Sequence, residues 1–128
     1  MVVSITNCNS PLVWDSTMLD AMKVYAAHNQ PVICAPFALC GASTPASAVG
    51  AVAQVNAEAL AGVAFTQLVR AGSPVIYGQF MVAVDMKSGA PMGGTPEAAQ
   101  MMYLMGQLAR KYDLPWRTSG FHVGSKLN

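Results

Sequence analysis

The stretch Pro31-Val32-Ile33-Cys34-Ala35 opens with the same three residues as Pro74-Val75-Ile76-Tyr77, about 43 residues further on. Each run is short and almost entirely apolar, which reads as a strand buried on both faces. Val2-Val3-Ser4-Ile5-Thr6 precedes them as a first strand, and Pro115-Trp116-Arg117-Thr118 begins a fourth. The repeat of about 42 residues leaves room for a helix between successive strands, the order that builds a parallel sheet with right-handed crossovers.

The intervening segments read as helices. Asp15 or Ser16 caps the first, whose apolar Met18, Met22 and Tyr25 recur at helical spacing until Gln30-Pro31 ends it. Thr44 caps the second, with Pro45 in its first turn, and it runs to about Arg70. Its Gly50, Ala53, Ala57, Ala61 and Gly62 permit close packing around much of its circumference. The third opens at Gly94-Thr95-Pro96-Glu97 and places Ala98, Met101, Met105, Leu108 and Tyr112 on one face. Glu97 in its first turn and Arg110 and Lys111 in its last suit the helix dipole, as does His28 at the end of the first helix.

The composition bounds what such a unit can do. The 128 residues are 53% hydrophobic and only 10% charged, against about 25% for an ordinary soluble domain. Much of the surface is therefore expected to be covered, by a partner subunit or by further chain. A net charge of +1 without a Lys/Arg cluster excludes a polyanion-binding surface, so no nucleic acid is expected. Gln54, Asn56, Glu58, Thr66 and Gln67 interrupt the most apolar helix, so no membrane span is expected, and without a secretory leader the expected location is the cytoplasm. Cys8, Cys34 and Cys40 fit neither a zinc site nor a disulfide framework and read as buried thiols; no metal site is expected. Most of the nine methionines fall at helical spacing and read as core.

In parallel α/β folds functional side chains sit on loops after the carboxyl ends of strands. Four such loops are read here: Asn7 to Trp14, Phe37 to Thr44, Gln79 to Gly94 and Ser119 to Lys126. They carry Asn7, Asn9, Gln79, Asp85, Lys87, Ser88, His122 and Lys126, with the aromatic Trp14, Phe37, Phe80 and Phe121. No P-loop lysine, glycine-rich nucleotide fingerprint, HExxH or GxSxG motif occurs. Nor does the Asp-x-His-x-x-Gly signature of a corrinoid carrier.

The runs Asn9-Ser10-Pro11-Leu12-Val13-Trp14-Asp15, Gly41-Ala42-Ser43-Thr44-Pro45 and Gln54-Val55-Asn56-Ala57-Glu58 resemble the trimethylamine methyltransferase family. So do Asp85-Met86-Lys87-Ser88-Gly89-Ala90-Pro91, Gly94-Thr95-Pro96-Glu97 and Gln107-Leu108-Ala109-Arg110-Lys111-Tyr112. The likeness covers nearly the whole chain in one order, while Ser119-Gly120-Phe121-His122 departs from the family's glycine-rich form. It implies an α/β fold, residues 1–128 forming a single partial (β/α)8 TIM barrel of about three and a half βα units. The implied reaction moves a methyl group from an N-methylated amine, such as trimethylamine or glycine betaine, to the cobalt of a corrinoid (cobalamin). That corrinoid is supplied by a partner protein, so no cofactor is expected to be bound directly.

A methylated cation calls for aromatic faces and a nearby carboxylate. Asp85 is the carboxylate candidate and His122 the titrating one; Asn9, Phe37, Gln79, Phe80 and Phe121 are candidates to bind substrate. Asp85 reads equally as a loop cap or partner of Lys87, and His122 as an ordinary loop histidine. Two other readings of the chain stand beside catalysis. One is a non-catalytic fragment or half-barrel subunit whose site another chain completes; the other is a self-contained four-stranded binding module.

Overall fold

The computed structural model describes residues 1–118 and 120. The chain runs β1 (Ser4–Thr6), α1 (Ser16–Ala27), β2 (Val32–Cys34), β3 (Phe37–Cys40), α2 (Ala48–Val69), β4 (Val75–Gly78), β5 (Phe80–Val84), β6 (Pro91–Met92), α3 (Pro96–Lys111) and β7 (Trp116–Arg117). Strands β1, β2, β4 and β7 form one all-parallel sheet in chain order. This is the α/β architecture with helical crossovers expected from the repeat.

The segments expected to be loops after β2 and β4 instead contain strands. β3 pairs with β5 in parallel, Phe37 opposite Phe80 and Cys40 opposite Ala83, in the same register as Val32 opposite Val75. β2 with β3, and β4 with β5, are thus each one long strand, interrupted at Ala35-Pro36 and at Gln79, where Phe80 N–H still donates to Pro36 O at 2.9 Å. β1 extends likewise, because the isolated bridge of Asn9 to Phe37 keeps the register that sets Thr6 opposite Cys34. β6 closes an antiparallel hairpin on β5.

The second helix begins at Ala48 with Ser47 as its cap, not at Thr44-Pro45. Leu39 O accepts N–H donors from Ala42, Ser43 and Thr44, and Gly41, at φ 93°, turns the chain so that Thr44 bridges back to Cys40. Thr44 is therefore committed to that turn, and Ser47 Oγ accepts from Gly50 N instead. The first helix starts as expected, Asp15 accepting from Met18 N, but stops at Ala27 with Asn29 left-handed at φ 55°. Thr95 and Pro96 begin the third as expected.

All three helices cover the same face of the sheet. Val32 and Cys34 pack with Met22 of α1 and Val63 of α2, while Tyr77 packs among residues of α2 and α3. Tyr77 donates to Asn56 Oδ1 at 2.6 Å, and Asn56 Nδ2 donates to the Tyr112 hydroxyl at 3.2 Å, so a satisfied polar chain joins β4 to both helices. By length and mean hydropathy, 1.4 over its most apolar window, α2 is able to cross a membrane. Here its small residues bring it against the rest of the fold: a Cβ at Gly62 would stand 2.8 Å from the Trp14 ring and 3.1 Å from Cys34 Sγ. Cys8, Cys34 and Cys40 are free and buried, as expected.

Candidate functional site

Among the described residues the other face of the sheet carries no helix. Strand alternation and register lay its side chains out in rows. Ile5, Ile33 and Ile76 form an apolar row, with Ile5 half exposed on the edge strand and Ile33 buried between its neighbours. Towards the carboxyl ends of the strands the next row holds Ala35 and Gly78, with Arg117 opposite Gly78. A Cβ at Gly78 would meet that of Ala35 at 3.0 Å, so glycine keeps this row shallow. Arg117 alternates with Trp116, which packs on the helix side, and so belongs to the open face.

One row further, Asn9, Phe37 and Phe80 fall side by side. The two rings lie 5.2 Å apart and 32° from parallel. Phe37 is 43% exposed, whereas Ala38, Cys40 and Met81 point the other way into the helical core. Asn9 donates to Asp15 Oδ2 at 2.7 Å, and Asp15 Oδ1 accepts from Met18 N at 2.8 Å. The Met18 amide first and the Asn9 amide second hold the Asp15 carboxyl below its ordinary range.

Three of the residues singled out from sequence are thus brought together, and two described ones are not. Gln79 alternates to the helix side, 2% exposed, where Nε2 donates to Thr118 Oγ1 at 2.6 Å. Its Oε1 finds no donor among the described residues. A cavity of about 280 Å³ between α3 and β7, lined by Tyr103, Arg110, Trp116 and Thr118, lies on that same side, away from the aromatic row. Asp85 follows β5 at the exposed tip of the β5–β6 hairpin. It accepts from Ser88 Oγ and, at 3.1 Å, from Lys87 N, and the Ser88 hydroxyl first and the Lys87 amide second hold its carboxyl below the ordinary range. It lies five positions beyond Phe80, roughly 16 Å at about 3.3 Å per residue. Phe121 and His122 lie outside the described residues.

Sequence reasoning did not single out Glu58 as a functional candidate. It is 2% exposed on α2, yet it reaches the loop after β1: Ser10 Oγ donates to Oε2 at 2.6 Å, and Leu12 N and Gln54 Nε2 donate to Oε1 at 2.8 and 2.9 Å. Trp14 Nε1 donates to the Glu58 carbonyl at 3.2 Å. It is the single charged residue in a helix of 22, a sequence signal that a buried partner set exists. Burial, with the Glu58 charge beside it, pushes the Cys8 thiol up to about 12, and burial alone does the same to Cys34. Neither is a nucleophile near neutrality. Among the described residues no three His, Cys, Asp or Glu side chains converge on a point.

Known proteins sharpen this picture. The chain is 41% identical over 120 residues to the glycine betaine methyltransferase of Desulfitobacterium hafniense, which covers 94% of this chain and 25% of that protein. It is 38% identical over 109 residues to the proline betaine:corrinoid methyltransferase of Eubacterium limosum, 85% of this chain and 22% of the relative. With a trimethylamine methyltransferase of Methanosarcina mazei it shares 32% over 118 residues, 92% of this chain and 24% of the relative. The chain spans about a quarter of the length of these curated relatives. A solved universal stress protein in complex with cAMP superposes with a TM-score of 0.38 and 10% identity over 94% of this chain and 97% of its own, from which nothing follows. The model of the trimethylamine methyltransferase family matches residues 1–128 throughout, and the chain belongs to that family.

Proposed function

We propose that the protein carrying this chain transfers a methyl group from a quaternary amine to a corrinoid held by a separate protein, and that the Asn9-Phe37-Phe80 row contributes to the amine site. The observation that carries this is the pair of rings on an open face at the carboxyl ends of parallel strands, beside a carboxamide. An aromatic face attracts a methylated ammonium by about 0.5–2 kcal/mol. Four parallel strands in chain order, with every helix among the described residues on one side and an apolar row on the other, support the reading that they are consecutive strands of a (β/α)8 barrel. The open face is then the barrel interior.

A betaine is favoured over trimethylamine as the substrate. Arg117 stands on the same open face one row below the rings, placed to meet a carboxylate once the rings hold the ammonium. The two betaine enzymes also share more identity with the chain than the trimethylamine enzyme does. Exposed Leu12, Val13 and Phe37 at this end of the sheet fit a methyl acceptor brought from outside. The corrinoid, when docked, supplies the nucleophile that takes the methyl group; this chain's residues bind and orient the ammonium and keep its surroundings apolar.

The test is methyl transfer by the full protein to its corrinoid partner, followed by the visible absorbance of methylcobalamin, with glycine betaine and trimethylamine compared. Phe37→Ala is expected to raise KM about tenfold, the equivalent of about 1.4 kcal/mol, and Arg117→Ala to weaken glycine betaine without weakening trimethylamine. An unchanged KM in Phe37→Ala would remove the aromatic pair from the site. Equal losses on both amines in Arg117→Ala would remove the betaine assignment.

A further inference from the structure

We propose that Glu58 is a positioning residue: from the helical layer it holds the loop after β1 in the shape that sets Asn9 beside the Phe37-Phe80 pair. This deepens the amine-site reading and rests on it.

The loop needs such a hold. Leu12 has φ 60°, a region that a bulky side chain rarely adopts. Its N–H is bound by Glu58 Oε1, and the residues on either side are fixed by the same glutamate, Ser10 through its hydroxyl and Trp14 through its indole. Asn9 directly precedes this clamped stretch, and its own N–H donates to Val13 O at 2.7 Å, closing the loop on itself. A displaced Ser10 or Leu12 therefore moves the carboxamide that borders the rings.

The side chain holds the loop by accepting. Three donors, a hydroxyl, a backbone amide and the Gln54 amide, converge on its two oxygens. A carboxylate is acceptor only and satisfies all three; a glutamine keeps Leu12 N and Gln54 on its oxygen and turns its NH₂ to Ser10, whose hydroxyl accepts as well as donates, so alanine and not glutamine breaks the hold. Among the described residues the ion pair found is the exposed one of Lys23 with Asp20, so no cation offsets the burial of Glu58. A buried charge held by hydrogen bonds alone is an expensive way to fasten a helix. The arrangement makes physical sense where a loop has to be held in one geometry.

The experiment is Glu58→Ala in the full protein, with Ser10→Ala as the milder second variant. Amide hydrogen exchange at Leu12 and the Trp14 indole N–H resonance report the loop, and steady-state methyl transfer from glycine betaine reports the site. Glu58→Ala is expected to speed Leu12 exchange at least tenfold and to raise KM about tenfold, with kcat within twofold. Ser10→Ala, which keeps the carboxylate and its bond to Leu12, is expected to raise KM about threefold. Faster exchange with unchanged KM would make Glu58 a structural anchor only and overturn the proposal, as would unchanged exchange. Should Glu58→Ala fail to fold, an unchanged KM in Ser10→Ala overturns it equally. A wild-type protein that demethylates neither amine would remove the underlying amine-site reading, a result told apart from these because Leu12 exchange would still respond to the variants.

Discussion

Glu58 and Asp85 each organise a loop at the carboxyl ends of the strands, and they do so from opposite environments. Glu58 is buried on a helix, reaches across to another element and binds residues 46 and 48 positions away in the chain. Asp85 is only partly buried at a hairpin tip and binds its own neighbours, Lys87 and Ser88, within one turn. The first loop is a tertiary object whose shape depends on how α2 packs; the second is a local turn that would form on any hairpin of that sequence. A carboxylate near a candidate site is therefore informative by what it holds together, more than by its charge.

That difference should show first in stability. Glu58→Ala leaves a hydroxyl, a backbone amide and a side-chain amide without their acceptor, and a buried unsatisfied donor costs about 1–3 kcal/mol. Allowing for water entering the space, a loss of about 3 kcal/mol is expected in urea unfolding, where Asp85→Ala should shift the midpoint little. Comparable losses in the two variants would erase the contrast. Next in size is Gly62→Ala. The added methyl would press on the Trp14 ring, Cys34 and Met22, and overpacking of this kind costs about 1–3 kcal/mol, against which helix propensity returns about 1 kcal/mol. A net loss of about 1 kcal/mol, with Trp14 fluorescence altered, is expected. A stabilised variant would mean that the packing behind the first loop is slack.

How far sequence reaches follows the same division. The repeated Pro-Val-Ile opening and the Thr95-Pro96 start are local signals, and the strands and third helix appear where they point. The extensions β3 and β5 were missed because Pro36 and the Gly78-Gln79 step break each strand, and a break at the end of a strand reads as the start of a loop. Thr44 looked like a helix cap because threonine before proline is a good one; the turn closing on Leu39 O claims it first, a tertiary choice the dipeptide does not record. At the site, Phe37, Phe80 and Asn9 were legible as strand-end residues. That they share one row, and that Gln79 faces away from it, depends on register, which a list of loop residues lacks. Glu58 was visible only as one charge in an apolar helix.

The smallest expected effect is the most discriminating for Asp85. Its carboxyl is held below the ordinary value of 3.8 by the Ser88 hydroxyl and the Lys87 amide, so the folded state favours the ionised form. Such a group contributes stability that is fully present above the unfolded pKa, near 4, and is lost as pH falls through the folded one. Asp85→Asn should therefore lower the thermal midpoint slightly at pH 7, and the gap from wild type should close as pH falls from the unfolded pKa through the lower folded one. A gap that persists in acid would trace to the turn's geometry and not to its charge. Methyl transfer gives the sharper reading: an exposed turn roughly 16 Å along the strand from Phe80 predicts a rate and KM within twofold of wild type. If Asp85→Asn abolished transfer while leaving stability intact, the hairpin tip would have to fold over the aromatic row in the working enzyme, and the two loops would no longer be a tertiary clamp and a local turn but two walls of one site.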